Sequence, residues 1–230
     1  MSQNRTFKNI LITGANRGLG LEFVQQYLAE AEQIFATCRQ PENAHQLGKL
    51  AQHNSNLQVV PFDVTNQQHL TALLQQIPDQ HLDLIINNAG IMRGRSGQVS
   101  TEDWLETFHV NSISPVLITL TLKQKLKPNS VVANITSKMG SIEDNTSGGA
   151  IIYRSSKAAL NAAIKSVALD NVSQFTSVLL HPGWVQTDMG GPNGSINTQT
   201  SISGMRNVLS KLTTKDNGKF LNYDGAHIPW

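Results

Sequence analysis

The stretch 10-ILITGANRGLGLEFVQQYL-28 decides the fold. Its apolar opening, Ile10 to Thr13, reads as a short buried strand. Glycines follow at 14, 18 and 20, and the apolar pattern from Leu19 to Glu30 is long enough for a helix. A glycine turn running from a strand into a helix N-terminus offers backbone N–H groups to a phosphate, and the helix dipole adds to the attraction. A tight β-α turn with no ligand would also use three glycines, but their place at the end of the first strand favours the anion site.

The same alternation continues along the chain. Short apolar runs stand at 33–37 (QIFAT), 57–62 (LQVVPF), 82–86 (LDLII), 130–135 (SVVANI) and 176–180 (TSVLL). Runs this continuous suit a parallel sheet covered on both faces. Between them, 67–77, 101–126 and 156–171 are long enough for crossover helices, which gives the repeating unit of a doubly wound α/β fold. Thr101, followed by Glu102 and Asp103, reads as a helix N-cap with acids in the first turn, and Pro128 follows the end of that segment. The stretch 190-GGPNGSINTQTSIS-203 has the composition of a loop. Ligands in such folds bind beyond the C-terminal ends of the strands, so residues 190–206 are a candidate substrate lid, with a plain surface connection as the alternative.

The 230 residues fit a single domain over 1–230. A net charge of +2, with Lys and Arg scattered, provides no basic face for nucleic acid. Cys38 is the lone cysteine, so no disulfide can form within the chain, and a reducing compartment is expected. No apolar run approaches the ~18 residues of a membrane span, and the opening MSQNRTFKN has no apolar core of a signal peptide. The expectation is a soluble, cytoplasmic protein without membrane contact. The seven histidines show neither H-E-x-x-H nor a pairing with cysteine, so no metal site is expected. A G-x-S-x-G elbow and a G-x-x-x-x-G-K-[ST] loop are both missing, which argues against a serine hydrolase and a P-loop ATPase.

In dinucleotide folds an acid about 20 residues beyond the glycine turn binds the adenosine ribose, whereas an arginine there accommodates a 2′-phosphate. Here the second apolar run ends at Thr37-Cys38-Arg39, and no acid lies between Glu32 and Glu42. Arg17, inside the glycine turn, supplies a second cation, and guanidinium groups bind phosphate oxygens through paired donors. The pattern favours NADP(H) over NAD(H). Taken alone, Arg39 could be a solvated charge at a strand end, a reading that its pairing with Arg17 weakens.

Tyr153 and Lys157 stand four apart in 149-GAIIYRSSKAALNAAIKSVALD-170, and so on one face of a helix. With these residues the chain resembles the short-chain dehydrogenase/reductase family over about residues 10–190. TGANRGLG (13–20) resembles its T-G-x-x-x-G-x-G turn, NNAG (87–90) its motif after the fourth strand, and Asp63-Val64 its adenine-contacting pair. The resemblance implies a catalytic set of Asn111, Ser137, Tyr153 and Lys157. It implies cofactor contacts from Gly14, Asn16, Arg17, Gly18, Leu19, Gly20, Arg39, Asp63, Val64, Asn88, Ala89 and Gly90, from Tyr153 and Lys157, and from Pro182, Gly183, Val185 and Thr187 of the loop after His181. It also implies a Rossmann-type sheet of about seven parallel strands in the order 3-2-1-4-5-6-7, with helices on both faces.

Ser137 has hydroxyl competitors in Thr136 and Ser141; its place as second of the T-S pair matches the family's active hydroxyl. Ser137 and Tyr153 are 16 positions apart, more than the family usually has, so the extra residues within 141-SIEDNTSGG-149 are expected to bulge at the pocket mouth. In the implied chemistry Tyr153 protonates a carbonyl oxygen, Lys157 lowers the phenol's pKa and holds the nicotinamide ribose, Ser137 binds the substrate oxygen, and Asn111 supports a water path. Lowering a phenol's pKa by about three units takes roughly 4 kcal/mol, within reach of two nearby cations in a dry cleft.

Arg39, the stretch 151–161 and the ending 223-YDGAHIPW-230 resemble the family's sniffer-like and C-factor-like carbonyl reductases. The expectation is an NADPH-dependent reductase of small aldehydes or ketones, with the alanine-rich helix after Tyr153 as the candidate surface for a homodimer. Two alternatives stay open: an NADP-binding regulatory or signalling protein, and an alcohol dehydrogenase working in the oxidative direction. Trp184, Met189 and Ile142 are candidates for the pocket wall, although packing explains such residues as well.

Overall fold

The computed structural model describes residues 4–94 and 99–230. Seven strands form its sheet: β1 (Asn9–Ile12), β2 (Gln33–Cys38), β3 (Leu57–Pro61), β4 (Leu82–Asn87), β5 (Leu126–Ile135), β6 (Phe175–His181) and β7 (Phe220–Asn222). Their order is β3-β2-β1-β4-β5-β6-β7 and each neighbouring pair is parallel. The helices are α1 (Gly18–Tyr27), α2 (His45–His53), α3 (Gln67–Gln76), α4 (Thr101–Phe108), α5 (Ser114–Leu122), α6 (Ile151–Asp170) and α7 (Thr198–Lys211).

Side-chain alternation along the strands divides the core into two layers. Ile10, Ile12, Ile34, Leu84, Ile86, Val131 and Val178 pack with Phe23 and Val24 of α1, Leu47 of α2 and Met205 and Leu209 of α7. Leu11, Phe35, Val60, Ile85 and Val132 point the other way, onto Leu70 and Leu73 of α3, Ile118 and Leu122 of α5 and Val167 of α6. Because both faces are covered, successive strand residues are all apolar, which is why the runs lacked an in-out pattern.

Several boundaries differ from the sequence expectations. The segment 101–126 is broken: α4 ends at Phe108, a π-helical turn occupies His109–Ile113, and α5 begins at Ser114. Pro115 lacks an N–H to continue the ladder, and the Ser114 hydroxyl donates to the His109 carbonyl at 2.8 Å instead. The N-cap of α4 is Ser100, whose side chain accepts from the Asp103 N–H; Thr101 is already helical. Pro128 lies inside β5, where the register against β4 shifts between Leu82 and Leu84 and Asn129 adopts φ +64°, so it sits in a bulge. The expected helix at 156–171 begins five residues earlier, at Ile151. The loop-like stretch 190–206 is helical from Thr198 onward, because Asn197 caps α7 and Ile202, Met205 and Leu209 give the helix a buried face.

Candidate active site

The glycine turn lies between the ends of β1 and β4 and is tied to both. The Thr13 hydroxyl oxygen accepts from the main-chain N–H of Asn88 at 3.0 Å and of Ala89 at 3.1 Å. In return the Asn88 amide donates to the carbonyls of Thr13 and Gly14, at 2.9 and 3.0 Å. Gly14 has φ +65°, and a Cβ there would lie 3.0 Å from the Ala89 Cα. Gly20 is a packing requirement of another kind: its Cβ would fall 2.2 Å from the Gly14 carbonyl oxygen, so only glycine lets the first turn of α1 rest on the loop. Arg17 caps α1 with no side-chain hydrogen bond, and that helix has no acid in its first turn. Its leading N–H groups are therefore left for an anion.

Beyond β2 the exposed Arg39 lines the same cleft as Asp63, Val64 and Glu106. Burial pushes the Asp63 carboxyl up, but hydrogen bonds from the Thr65 N–H and hydroxyl, with Arg39 and His69 nearby, outweigh it and hold the carboxyl below its usual value. Arg17 pairs with Asp188 at 2.5 Å across the cleft mouth, with both side chains mostly exposed. A surface pair of this kind contributes about 0–1 kcal/mol, so a phosphate can replace Asp188 at small cost. The Glu106 carboxylate is gripped by Arg93 through two hydrogen bonds of 2.9 and 3.1 Å.

At the other end of the cleft α6 supplies Tyr153 and Lys157, which are 7 % and 4 % exposed. The Lys157 Nζ lies 5.8 Å from the centre of the Tyr153 ring and donates to the Ile135 carbonyl at 2.9 Å. Burial lowers the Lys157 pKa from 10.5 to about 8. Gly140 permits this depth: a Cβ there would lie 2.8 Å from the Lys157 backbone carbon. Asn111, in the π-helical turn and fully buried, accepts from the Ile91 N–H at 2.9 Å and donates to the Ile91 carbonyl at 2.8 Å and to the Ser156 hydroxyl at 3.0 Å. Its side chain ties the irregular backbone after NNAG to α6. Ser137 follows β5, and its hydroxyl oxygen accepts from the Met139 N–H at 3.1 Å. The competing hydroxyls have structural partners: Thr136 donates to Asn161 at 2.7 Å, and Ser141 donates to the Trp230 carbonyl at 3.2 Å.

After β6, Pro182 and Thr187 complete the cleft, which encloses about 430 Å³. Gly183 has φ +84° and Val185 bridges to Ile196, so both shape the loop without lining the cleft. Asn16, Leu19, Ala89 and Gly90 also line it, whereas Gly20, Asn111 and Ser137 are not among its lining residues. Sequence reasoning missed Glu106, Val110 and Asp188. Val110 and Asp188 adjoin residues that were singled out, but Glu106 lies on α4, which packs against α6, and carried no signal of its own. Burial keeps His181 neutral, with a pKa lowered to about 4. Among the described residues no group of three or more His, Cys, Asp or Glu could hold a metal ion, and no helix is long and apolar enough to cross a membrane.

The features fit a dinucleotide carrying an additional phosphate: two close-approach glycines, an uncapped helix N-terminus and arginines at the adenosine end. Comparison with known proteins agrees in kind. A family model described as short chain dehydrogenase matches residues 8–198. The chain is 42 % identical over 154 residues to C-signal of Myxococcus xanthus, covering 65 % of this chain and 93 % of that protein. Among solved structures, the carbonyl reductase Sniffer of D. melanogaster is similar with TM-score 0.91 at 37 % identity, covering 97 % of this chain and 99 % of the other. The NADPH-bound carbonyl reductase from chicken fatty liver is equally similar, with TM-score 0.91 and 37 % identity over 98 % of this chain and 100 % of the other.

Proposed function

The chain belongs to the short-chain dehydrogenase family, and on that premise we propose that it is an NADPH-dependent carbonyl reductase of small aldehydes and ketones. The observation that carries this reading is the pair Tyr153 and Lys157, a phenol beside a buried ammonium on the cleft that also holds the glycine turn and Arg39. The likeness to reductases described as carbonyl-reducing and, in one case, NADPH-bound supports it. Of the three candidates for the pocket wall only Met189 lines the cleft, and it supports an apolar substrate; Ile142 and Trp184 are exposed outside it.

When bound, the nicotinamide would supply hydride to the carbonyl carbon. The remaining work belongs to the chain. Gly14, Gly18 and the α1 N-terminus would hold the pyrophosphate, Arg39 with Arg17 would hold the 2′-phosphate, and Asp63 and Val64 would contact the adenine. The Ser137 hydroxyl donates a hydrogen bond to the substrate oxygen. Tyr153 gives its phenolic proton to the same oxygen as negative charge develops there, and becomes phenolate. The Lys157 ammonium stabilises that phenolate and reaches the nicotinamide ribose. Asn111 holds the backbone at Ile91, beside which water returns the proton.

Residues 190–206, irregular to Asn197 and helical beyond, act as the substrate lid. We assign the protein to the cytoplasm, where its one thiol stays reduced. Pairing as a homodimer uses the surface where α5 lies beside α6, with Leu117, Leu120 and Leu169 exposed. The alternative, an NADP-binding signalling protein, draws on the likeness to C-signal. Oxidation of NADPH and of NADH, followed by absorbance against a panel of aldehydes, ketones and dicarbonyls, separates the readings. Turnover with NADPH supports the reductase; tight NADPH binding with no turnover on any carbonyl favours the signalling protein.

A further inference from the structure

Between Ser137 and Tyr153 the chain has one short 3-10 turn, Lys138–Gly140, and then irregular backbone up to α6. That backbone is unusual at its end: Gly148, Gly149 and Ala150 take φ of +63°, +69° and +45° in succession. Ala150 is the N-cap of α6 and makes no side-chain cap hydrogen bond. A left-handed non-glycine residue at an uncapped helix start persists only where its surroundings hold it.

The surroundings include Arg154, the residue after Tyr153. Its guanidinium folds back over the start of its own helix. Nε donates to the carbonyls of Gly148 and Gly149 at 2.9 and 3.1 Å, Nη2 donates to the Ser147 hydroxyl at 2.9 Å, and Nη1 donates to the Met139 carbonyl at 3.4 Å. A cation in the first turn of a helix opposes the dipole, so the position suits arginine for these contacts rather than for helix stability. The start of the segment has its own anchor. The Trp230 carbonyl accepts from the Ser141 hydroxyl at 3.2 Å and from the N–H of Ile142 and Glu143 at 3.1 and 2.9 Å. The Trp230 ring packs on Phe220 and beneath the Lys165 ammonium.

Arg154 therefore bonds both to Met139, two residues past Ser137, and to the backbone leading into Tyr153. We propose that Arg154 is a positioning residue: it fixes the separation of the Ser137 hydroxyl and the Tyr153 phenol by fastening the long segment between them to α6. This rests on the reading of Ser137 and Tyr153 as the pair that binds and protonates the substrate oxygen. Small misplacement of such groups is enough to cost about a hundredfold in rate. Apart from Tyr153 and Lys157, the residues assigned to the cofactor lie on other loops, at the glycine turn, Arg39 and Asp63, so most of its binding is independent of this device.

The test compares Arg154→Met and Arg154→Lys with the parent protein in steady-state reduction of the best carbonyl substrate, NADPH binding by fluorescence, and thermal melting. The expected result for Arg154→Met is a fall in kcat of about tenfold to a hundredfold at a temperature where the variant is fully folded, with NADPH Kd within about twofold of the parent. Arg154→Lys, which keeps the charge and reach but not the fork, should fall between the two. If Arg154→Met does not fold, the Lys variant alone decides by the same kcat and Kd readings. Unchanged kcat in a folded variant, or parallel losses of kcat and NADPH affinity, would overturn the assignment. Tyr153→Phe is run beside them. Loss of turnover there with full activity in the Arg154 variants would refute the positioning role alone, whereas activity in Tyr153→Phe would refute the reading on which it rests.

Discussion

Lys157 shows how one buried residue sets both chemistry and stability. Desolvation takes its pKa from 10.5 to about 8, so the apo protein pays for the ammonium at neutral pH. The folded pKa is below the unfolded one, which means that the unfolded chain binds more protons between these values. Stability contributed through this residue should therefore rise as pH increases from about 8 toward 10.5, by up to roughly 3 kcal/mol. Lys157→Met should remove that rise, which denaturant unfolding of the apo protein at several pH values would reveal. On the same grounds kcat/KM for reduction should decline as pH passes about 8, since the free enzyme then loses the charged form. Arg39 makes a separate residue-scale prediction. Replacing it with Asp removes a phosphate ligand and adds a partner for ribose hydroxyls, so the ratio of KM for NADH to KM for NADPH should fall by tenfold or more, the equivalent of roughly 1.5–3 kcal/mol. An unchanged ratio would mean that Arg39 does not read the 2′-phosphate. The two cations that the sequence offered are unequal in the structure, because Arg17 faces Asp188.

Among the elements, α4 and its continuation depart most from the sequence reading. Ser100→Ala should cost about 1 kcal/mol in chemical denaturation and Thr101→Ala a few tenths at most, because the cap oxygen belongs to Ser100. Equal losses would place the cap elsewhere. Six strands were legible because burial on both faces makes each an uninterrupted apolar run. The seventh was not: Phe220–Asn222 is three residues long and its partner-facing character comes only from lying beside β6. Likewise α2 buries only Leu47, and α7 hides its apolar spacing among Ser, Thr, Asn and Gly. The break at Asn111 takes the form of a π-helical turn, with the amide spent on Ile91. The site's backbone features were legible because glycine spacing is a local property. Glu106 and the double anchoring of 141–149 were not, since they arise where distant segments meet.

At the scale of the whole molecule the strand order puts every chemical element at one edge. The C-terminal ends of β1, β2, β4, β5 and β6 carry the glycine turn, Arg39, NNAG, Ser137 and the Pro182 loop in turn, as the doubly wound topology requires. The exposed leucines beside α6 lie away from that edge. Leu117→Arg should therefore halve the mass seen by sedimentation if the protein pairs there, with the monomer still binding NADPH; an unchanged mass would show that pairing, if any, uses another face. The account as a whole rests on the phenol. The most direct measurement is turnover of a reactive carbonyl with NADPH by the parent and by Tyr153→Phe, alongside the NADPH Kd of each. The account predicts that the variant loses a thousandfold or more in kcat, within the range that positioned proton transfer contributes, while its NADPH Kd stays within about threefold. Substantial turnover by Tyr153→Phe with intact cofactor binding would contradict the central claim and leave the proton donor elsewhere.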